Sequence, residues 1–468
     1  MKKFDHPIRS RVVRQEKKNI KVGKGAYLEW WQMSLIGISS VIGAGFFLGS
    51  GLSIRSAGAS VLISYLLAGL TALIVFSALA EMTVNDPESG SFRTYSKIAF
   101  GEGYAFVFGW VYWFAGLLIV SSEITALSTF TRFWLPWIPL WMFSAGYACI
   151  GIGVILLGVK NFGTIESFFA VLKLSALFIF ILLVLLLFLG VKPATLSALS
   201  IHSPLQSGLF PHGFPGFWES MIFVLLSFGG IEIVGLTADK CKSKADVTKA
   251  GFTLILALVV IYFLSVSAIL MTARWKAISP NESPFVTALS SLQLPFLNSL
   301  FNLIILSAAF STMVGALYSM TTVLASLAAD HAAPQLFDQR NKKEVPVYGL
   351  LLTFALLILV DVLSYFLPKS VYEYLAAASG TMLILNWLNI ILSDLKNRRT
   401  YYSEKHWRLP FQPWSGIAGI TLILFGIFGS AFDVHQRTSL LFTVGIVFFI
   451  LILYCIKKRV AGSRKERA

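Results

Sequence analysis

Two short stretches hold residue types that can do chemistry inside an apolar environment. One reads Ser39-Ser40-Val41-Ile42-Gly43-Ala44-Gly45-Phe46-Phe47, the other Leu226-Ser227-Phe228-Gly229-Gly230-Ile231-Glu232. Adjacent or alternate glycines lower the cost of leaving helical geometry, so each predicts a break in a long apolar run. Freed N–H groups and the positive end of a half-helix can hold a carboxylate, and freed carbonyls can hold an ammonium or a cation. Within a bilayer, unwound backbone survives only against a protein-lined or wet cavity. The competing reading of either stretch alone is close helix packing, since Gly45 and Gly49 also make a GxxxG spacing.

Ionisable residues fall inside the same kind of sequence. Lys173 lies about ten residues into its apolar run, roughly 15 Å deep at 1.5 Å per residue. Its stem of about 6 Å is too short to reach a surface. An unpaired ammonium there costs at least about 2.5–3.5 kcal/mol, so Lys173 needs a partner. That makes it the candidate for carrying a coupling charge, against the plainer role of a structural ion pair. Glu232 sits beside the second break, where a carboxylate can simply hold the break together. Glu123 stands within one helical turn of Ser121, Ser122 and Thr125 and is expected to be satisfied locally. Asp361 and Glu373 flank Pro368-Lys369, where partial solvation accounts for them.

The elements that must position these residues are membrane helices. Of 468 residues, 56% are hydrophobic and 13% charged, about half the charged share of a soluble domain, and the mean hydropathy is +0.75. About 20 apolar residues cross a bilayer. Such windows fall at 33–54, 59–82, 104–130, 139–159, 164–190, 216–236, 248–272, 296–328, 347–367, 371–394, 413–433 and 439–456. The fold class is thus an all-α integral membrane protein of about twelve transmembrane helices. The 296–328 window is long enough to hide a short loop. The first 24 residues carry nine Lys/Arg, and the span after them has no cleavage-like site, so it is expected to be retained.

Charge placement orients the chain. With a cytoplasmic N-terminus, inside segments hold 30 of the 38 Lys and Arg and outside segments 7, the remaining one being Lys173. Positive-inside bias predicts that asymmetry for an even number of spans with both termini cytoplasmic. The net charge of +15 sits at helix ends and tails, which suits anionic lipid headgroups and argues against nucleic acid. Five tryptophans near span ends, Trp30, Trp31, Trp134, Trp137 and Trp141, read as interfacial anchors. Three cysteines, Cys149, Cys241 and Cys455, form no metal or disulfide pattern. No cofactor is expected, and the lack of H-E-x-x-H, of G-x-S-x-G and of clustered histidines within the spans argues against an enzyme. The breaks occupy spans one and six, corresponding members of two five-helix halves, which points to an inverted-repeat transporter. The chain divides into a basic tail at 1–30, a core at 31–395 with repeats at about 31–190 and 214–395, spans eleven and twelve at 396–456, and a basic tail at 457–468.

The run Ile42-Gly43-Ala44-Gly45-Phe46-Phe47-Leu48-Gly49-Ser50-Gly51 resembles the first-span signature of amino acid permeases in the amino acid–polyamine–organocation superfamily. The resemblance continues through Ala80-Glu81-Met82, Pro87-Glu88-Ser89-Gly90-Ser91-Phe92 with Tyr95, and Gly109-Trp110-Val111-Tyr112-Trp113. It includes Val171-Leu172-Lys173-Leu174, Phe228-Gly229-Gly230-Ile231-Glu232, and Asp330 to Pro334 before Val345-Pro346-Val347. It implies a LeuT-like fold of two inverted five-helix repeats plus two helices, in a multi-pass protein of the cell membrane. The substrate carboxylate would meet amides around Gly43, Ala44 and Gly45. Its ammonium would meet carbonyls around Val41, Ile42, Ser227, Phe228 and Gly229, with Gly230 beside them. In similar proton-coupled permeases a span-five lysine replaces a cation between spans one and eight, and Lys173 matches it. Lys240, Ser243-Lys244 and Thr322 depart from the family pattern, all in the expected cytoplasmic gate. Proton-coupled amino acid uptake by alternating access is the expectation. An amino acid or amine exchanger is the alternative, and a non-transporting sensor is a weaker one.

Overall fold

The computed structural model describes residues 29–85, 91–158, 162–191, 203–204, 208–236, 244–280, 282–292, 295–366, 371–401 and 411–465. Pro87 to Gly90, Lys240, Cys241, Ser243, Pro368, Lys369 and the tail through residue 28 lie outside them.

Twelve crossings account for the long helices. Span one is split into Trp30–Val41, Ala44–Phe47 and Gly49–Ala57, and span six into Gly213–Leu226 and Ile233–Leu236. Spans two to five are Val61–Asn85, Glu102–Arg132, Leu140–Leu156 and Phe162–Phe188. Spans seven to ten are Lys244–Thr272, Pro295–Ala329, Val347–Tyr365 and Val371–Tyr401, and the last two are Trp414–Gly429 and Val434–Lys465. The 296–328 window is one helix, not two. Spans one and two run on as a single apolar stretch, Ala44–Asn85, that turns at Gly58. Its φ of +59° suits glycine, and a Cβ there would collide with the Pro211 ring.

Contacts between spans repeat when five is added to each number. Spans one and six, two and seven, three and eight, and four and nine all pack together. Span one also packs on seven and five, and correspondingly span six packs on two and ten. Two short helices share the symmetry, Phe92–Phe100 before span three and Pro284–Ser291 before span eight. Because five is odd, the second half enters from the opposite face, which makes the repeat inverted. An even number of crossings brings the described chain in and out on one face, called here the near face.

Packing sorts the spans into core and rim. Span ten is buried along most of its length, whereas span twelve is largely exposed to where lipid would lie. Spans two and seven interlock through missing side chains. A Cβ on Gly251 would fall inside the Phe76 ring, and one on Gly69 would strike Val259. Among the anchoring tryptophans, Trp31, Trp134, Trp137 and Trp141 are exposed, and Trp30 lies under the Lys249 ammonium, 4.0 Å from it.

Candidate functional site

Both glycine stretches leave helical geometry. In span one, Ile42 is extended (φ −77°, ψ 93°) and Gly43 more so (φ −136°, ψ −154°) before the helix resumes at Ala44. In an unbroken helix the Ala44 amide would return to the Ser40 carbonyl. Instead it donates to both carboxylate oxygens of Glu123, each at 3.0 Å. In span six, Gly230 takes a φ of +104°, and a Cβ there would come within 3.1 Å of the Ser40 carbonyl. The two breaks therefore face each other with backbone nearly in contact, and the Ser227 hydroxyl stitches them by donating to the Gly45 carbonyl at 2.8 Å.

Glu123 is not satisfied locally. The hydroxyls of Ser121, Ser122 and Thr125 all donate to carbonyls of their own helix, those of Leu117, Ile119 and Ser121. Each hydroxyl has one proton to donate and has spent it on a carbonyl, so Glu123 turns to the orphan amide of the half-helix starting at Ala44. It occupies one of the amides that the resemblance assigns to a substrate carboxylate. Gly43 makes the approach possible, since a Cβ there would lie 2.5 Å from Glu123 Oε1 and 2.7 Å from the Thr312 side chain.

Lys173 is fully buried, and its ammonium joins spans one and eight. It donates to the Ser39 carbonyl at 2.6 Å, to Thr312 Oγ1 at 3.1 Å and to Ser311 Oγ at 3.5 Å. The Ser39 carbonyl is one that the break releases. Thr312 also donates toward the Ile42 carbonyl at 3.2 Å, and Ser311 donates to Glu166 Oε2 at 3.0 Å. Glu166 escaped the sequence reading, although its signal was there. It precedes Lys173 by seven residues, two helical turns, and therefore shares its face.

Glu232 is buried in its own break. Its Oε2 accepts from the Gly230 amide at 3.2 Å and from Trp387 Nε1 at 3.4 Å. The Ser227 carbonyl, expected to face an ammonium, accepts from the Tyr262 hydroxyl at 2.9 Å, and Tyr372 donates to the Ala44 carbonyl at 2.8 Å. Both tyrosines, together with Thr312 and Trp387, were missed, because nothing local in a sequence marks a contact between remote spans.

A cavity of about 60 Å³ lies between the breaks. Val41, Gly45, Gly229, Gly230, Glu123 and Glu232 line it on the side of the breaks, whereas Ile42, Gly43, Ala44, Ser227 and Phe228 are not among its lining residues. Spans three, eight and ten close it with Tyr112, Ile119, Ala316, Met320 and Leu383. Span three rises from the near face, so a lining that runs from Glu123 back to Tyr112 leans toward that face. The far side is sealed by fully buried aromatics. Phe46 stacks on Tyr262 with centroids 3.9 Å apart and planes at 19°, and Phe285 meets Phe46 edge-on at 5.5 Å.

An α-helical membrane bundle with paired half-helices around a closed-ended cavity is the architecture of a secondary transporter. The model of the family "Amino acid permease" matches residues 32–467. The transporter YcgH of Bacillus subtilis (strain 168) is 36% identical over 442 residues, 94% of this chain and 97% of its own. The gamma-aminobutyric acid permease of the same organism is 31% identical, with 93% and 94% covered. The aromatic amino acid transport protein AroP of Shigella flexneri is 32% identical, with 78% and 80% covered. The chain belongs to the amino acid permease family, a family of multi-pass membrane transporters of amino acids.

Proposed function

We propose that this protein takes up amino acids together with protons across the cell membrane by alternating access, with both termini cytoplasmic and 31–395 as the transport core. One observation carries the reading, the Glu123 carboxylate seated on the Ala44 amide. A substrate carboxylate needs the same half-helix end, and two carboxylates cannot share one donor at 3.0 Å without strong repulsion. Protonating Glu123 removes its charge and its claim on the amide. A proton and an amino acid therefore bind in concert, and each favours the other by the same factor.

In this reading the α-carboxylate meets the amides of Gly43, Ala44 and Gly45. The ammonium meets carbonyls of Val41, Ile42, Ser227, Phe228 and Gly229, with Gly230 giving the close approach. Lys173 stands where a metal cation would satisfy the Ser39 carbonyl and the Thr312 hydroxyl, and it exchanges the coupling proton with Glu123. Glu232 holds the span-six break at the cytoplasmic side of the cavity. The cavity leans toward the near face, which the positive-inside bias makes cytoplasmic.

Proteoliposomes test this directly. Radiolabelled amino acid should accumulate under an imposed proton gradient, and dissipating the gradient should reduce the rate. E123Q should lose gradient-driven accumulation and keep counterflow of the same substrate. Full accumulation by E123Q, or stabilisation of the purified protein by none of the twenty amino acids, would defeat the proposal.

A further inference from the structure

Even-numbered spans start from the far face, and the starts of spans ten and twelve bring three partly exposed ionisable side chains together there. Glu373 stands in the first turn of span ten, His435 in the first turn of span twelve, and Asp433 just before Val434 opens that span. His435 Nδ1 lies 3.8 Å from Glu373 Oε1 and 3.9 Å from Asp433 Oδ1. One ligand atom from each residue falls within 4.8 Å of the other two.

Hydrogen bonding does not account for this meeting. A histidine bonded to a carboxylate closes on one oxygen at about 2.7–2.9 Å, whereas this imidazole stands between two at longer range. Asp433 has a structural duty, since its Oδ1 caps span twelve by accepting from the Gln436 amide at 2.9 Å. Glu373 has none, because among the described residues its carboxylate accepts no hydrogen bond. Arg55 acts on Glu373 only from beyond ion-pair distance, and Glu219 adds negative charge beside Asp433. The imidazole is steadied by Tyr374, whose ring meets it edge-on with centroids 5.0 Å apart.

A shared metal ion explains the spacing. Ligand atoms about 2.1 Å from a tetrahedral zinc ion stand roughly 3.4 Å apart, so these side chains need close by only about half an ångström. Two carboxylates and a neutral imidazole balance a divalent charge. Imidazole among the donors suits zinc, whereas calcium and magnesium take oxygen shells.

We propose that Glu373, Asp433 and His435 form a zinc-binding site on the far face, clamping the start of span ten to the turn between spans eleven and twelve. Water completes the coordination. Tyr372, the neighbour of Glu373, donates to the Ala44 carbonyl inside the span-one break at 2.8 Å, so an ion held here stiffens a segment that touches the break.

Full-length, untagged protein is titrated with zinc chloride against a fluorescent zinc chelator. One zinc should bind saturably per chain, and H435A, E373Q and D433N should each raise its Kd by about tenfold or more. E373Q keeps the shape of its side chain and D433N keeps a helix-capping residue, so both should fold if H435A does not. Absence of saturable zinc binding overturns the site, as does an unchanged Kd in both E373Q and D433N. Displacement of the zinc by an equal concentration of calcium or magnesium would show a plain acidic cluster and overturn it too. No amino acid enters the measurement, so its outcome is separate from that of the transport reading.

Discussion

Lys173 and Glu123 both engage the span-one break, one through a carbonyl it frees and the other through an amide it frees. The ammonium crosslinks spans one and eight at 2.6 and 3.1 Å, so K173A should remove both a charge and a brace. It should abolish gradient-driven uptake in proteoliposomes, and wild-type uptake in K173A would take the residue out of the mechanism. For the wild type, lowering pH on the far side should speed uptake, because protonation of Glu123 is what vacates the Ala44 amide. G43A brings a methyl into the space of Glu123 and Thr312. It should fold yet lose substrate-induced stabilisation, measured by thermal shift. Lys173 was legible in the sequence because a lysine halfway across a membrane has few innocent explanations. Glu123 was misjudged, because the serines around it suggested local partners, while its true donor lies 79 residues away and exists only because a helix is broken.

At the scale of elements, the breaks are held open by specific side chains rather than by glycine alone. Tyr262 satisfies the Ser227 carbonyl that unwinding exposes, and Trp387 holds the Glu232 carboxylate that accepts from the Gly230 amide. Removing the Tyr262 hydroxyl strands the buried Ser227 carbonyl, so Y262F should destabilise the purified protein by about 1–3 kcal/mol, read by thermal or denaturant melting. No loss of stability would mean that the carbonyl finds water. The positions of the breaks could be read from adjacent and alternate glycines, and the span count from apolar length and lysine–arginine placement. Which carbonyls stay free could not, since that depends on tyrosines and threonines brought in from spans seven, eight and ten.

The whole molecule is closed at the far side by Phe46 on Tyr262, and its cavity leans toward the near side; in the alternating-access reading proposed above, that is one stage of the cycle. F46A should weaken the seal, and a cysteine introduced at Gly45 should then react faster with a membrane-impermeant thiol reagent added from the far side, with Cys149, Cys241 and Cys455 replaced. Equal reactivity with and without Phe46 would locate the seal elsewhere. The pairing of spans five apart was foreshadowed by the matching breaks.

Glycine 251 accepts the flat of the Phe76 ring where any side chain would intrude, and this bears on how the machine moves. An aromatic plate bedded in a neighbouring helix resists both sliding and twisting, so under the proposed alternating access spans two and seven should move as one girder. Motion should then pass to the unwound turns of spans one and six. Spin labels on spans two and seven should keep a fixed separation through the cycle, while labels across the breaks should not.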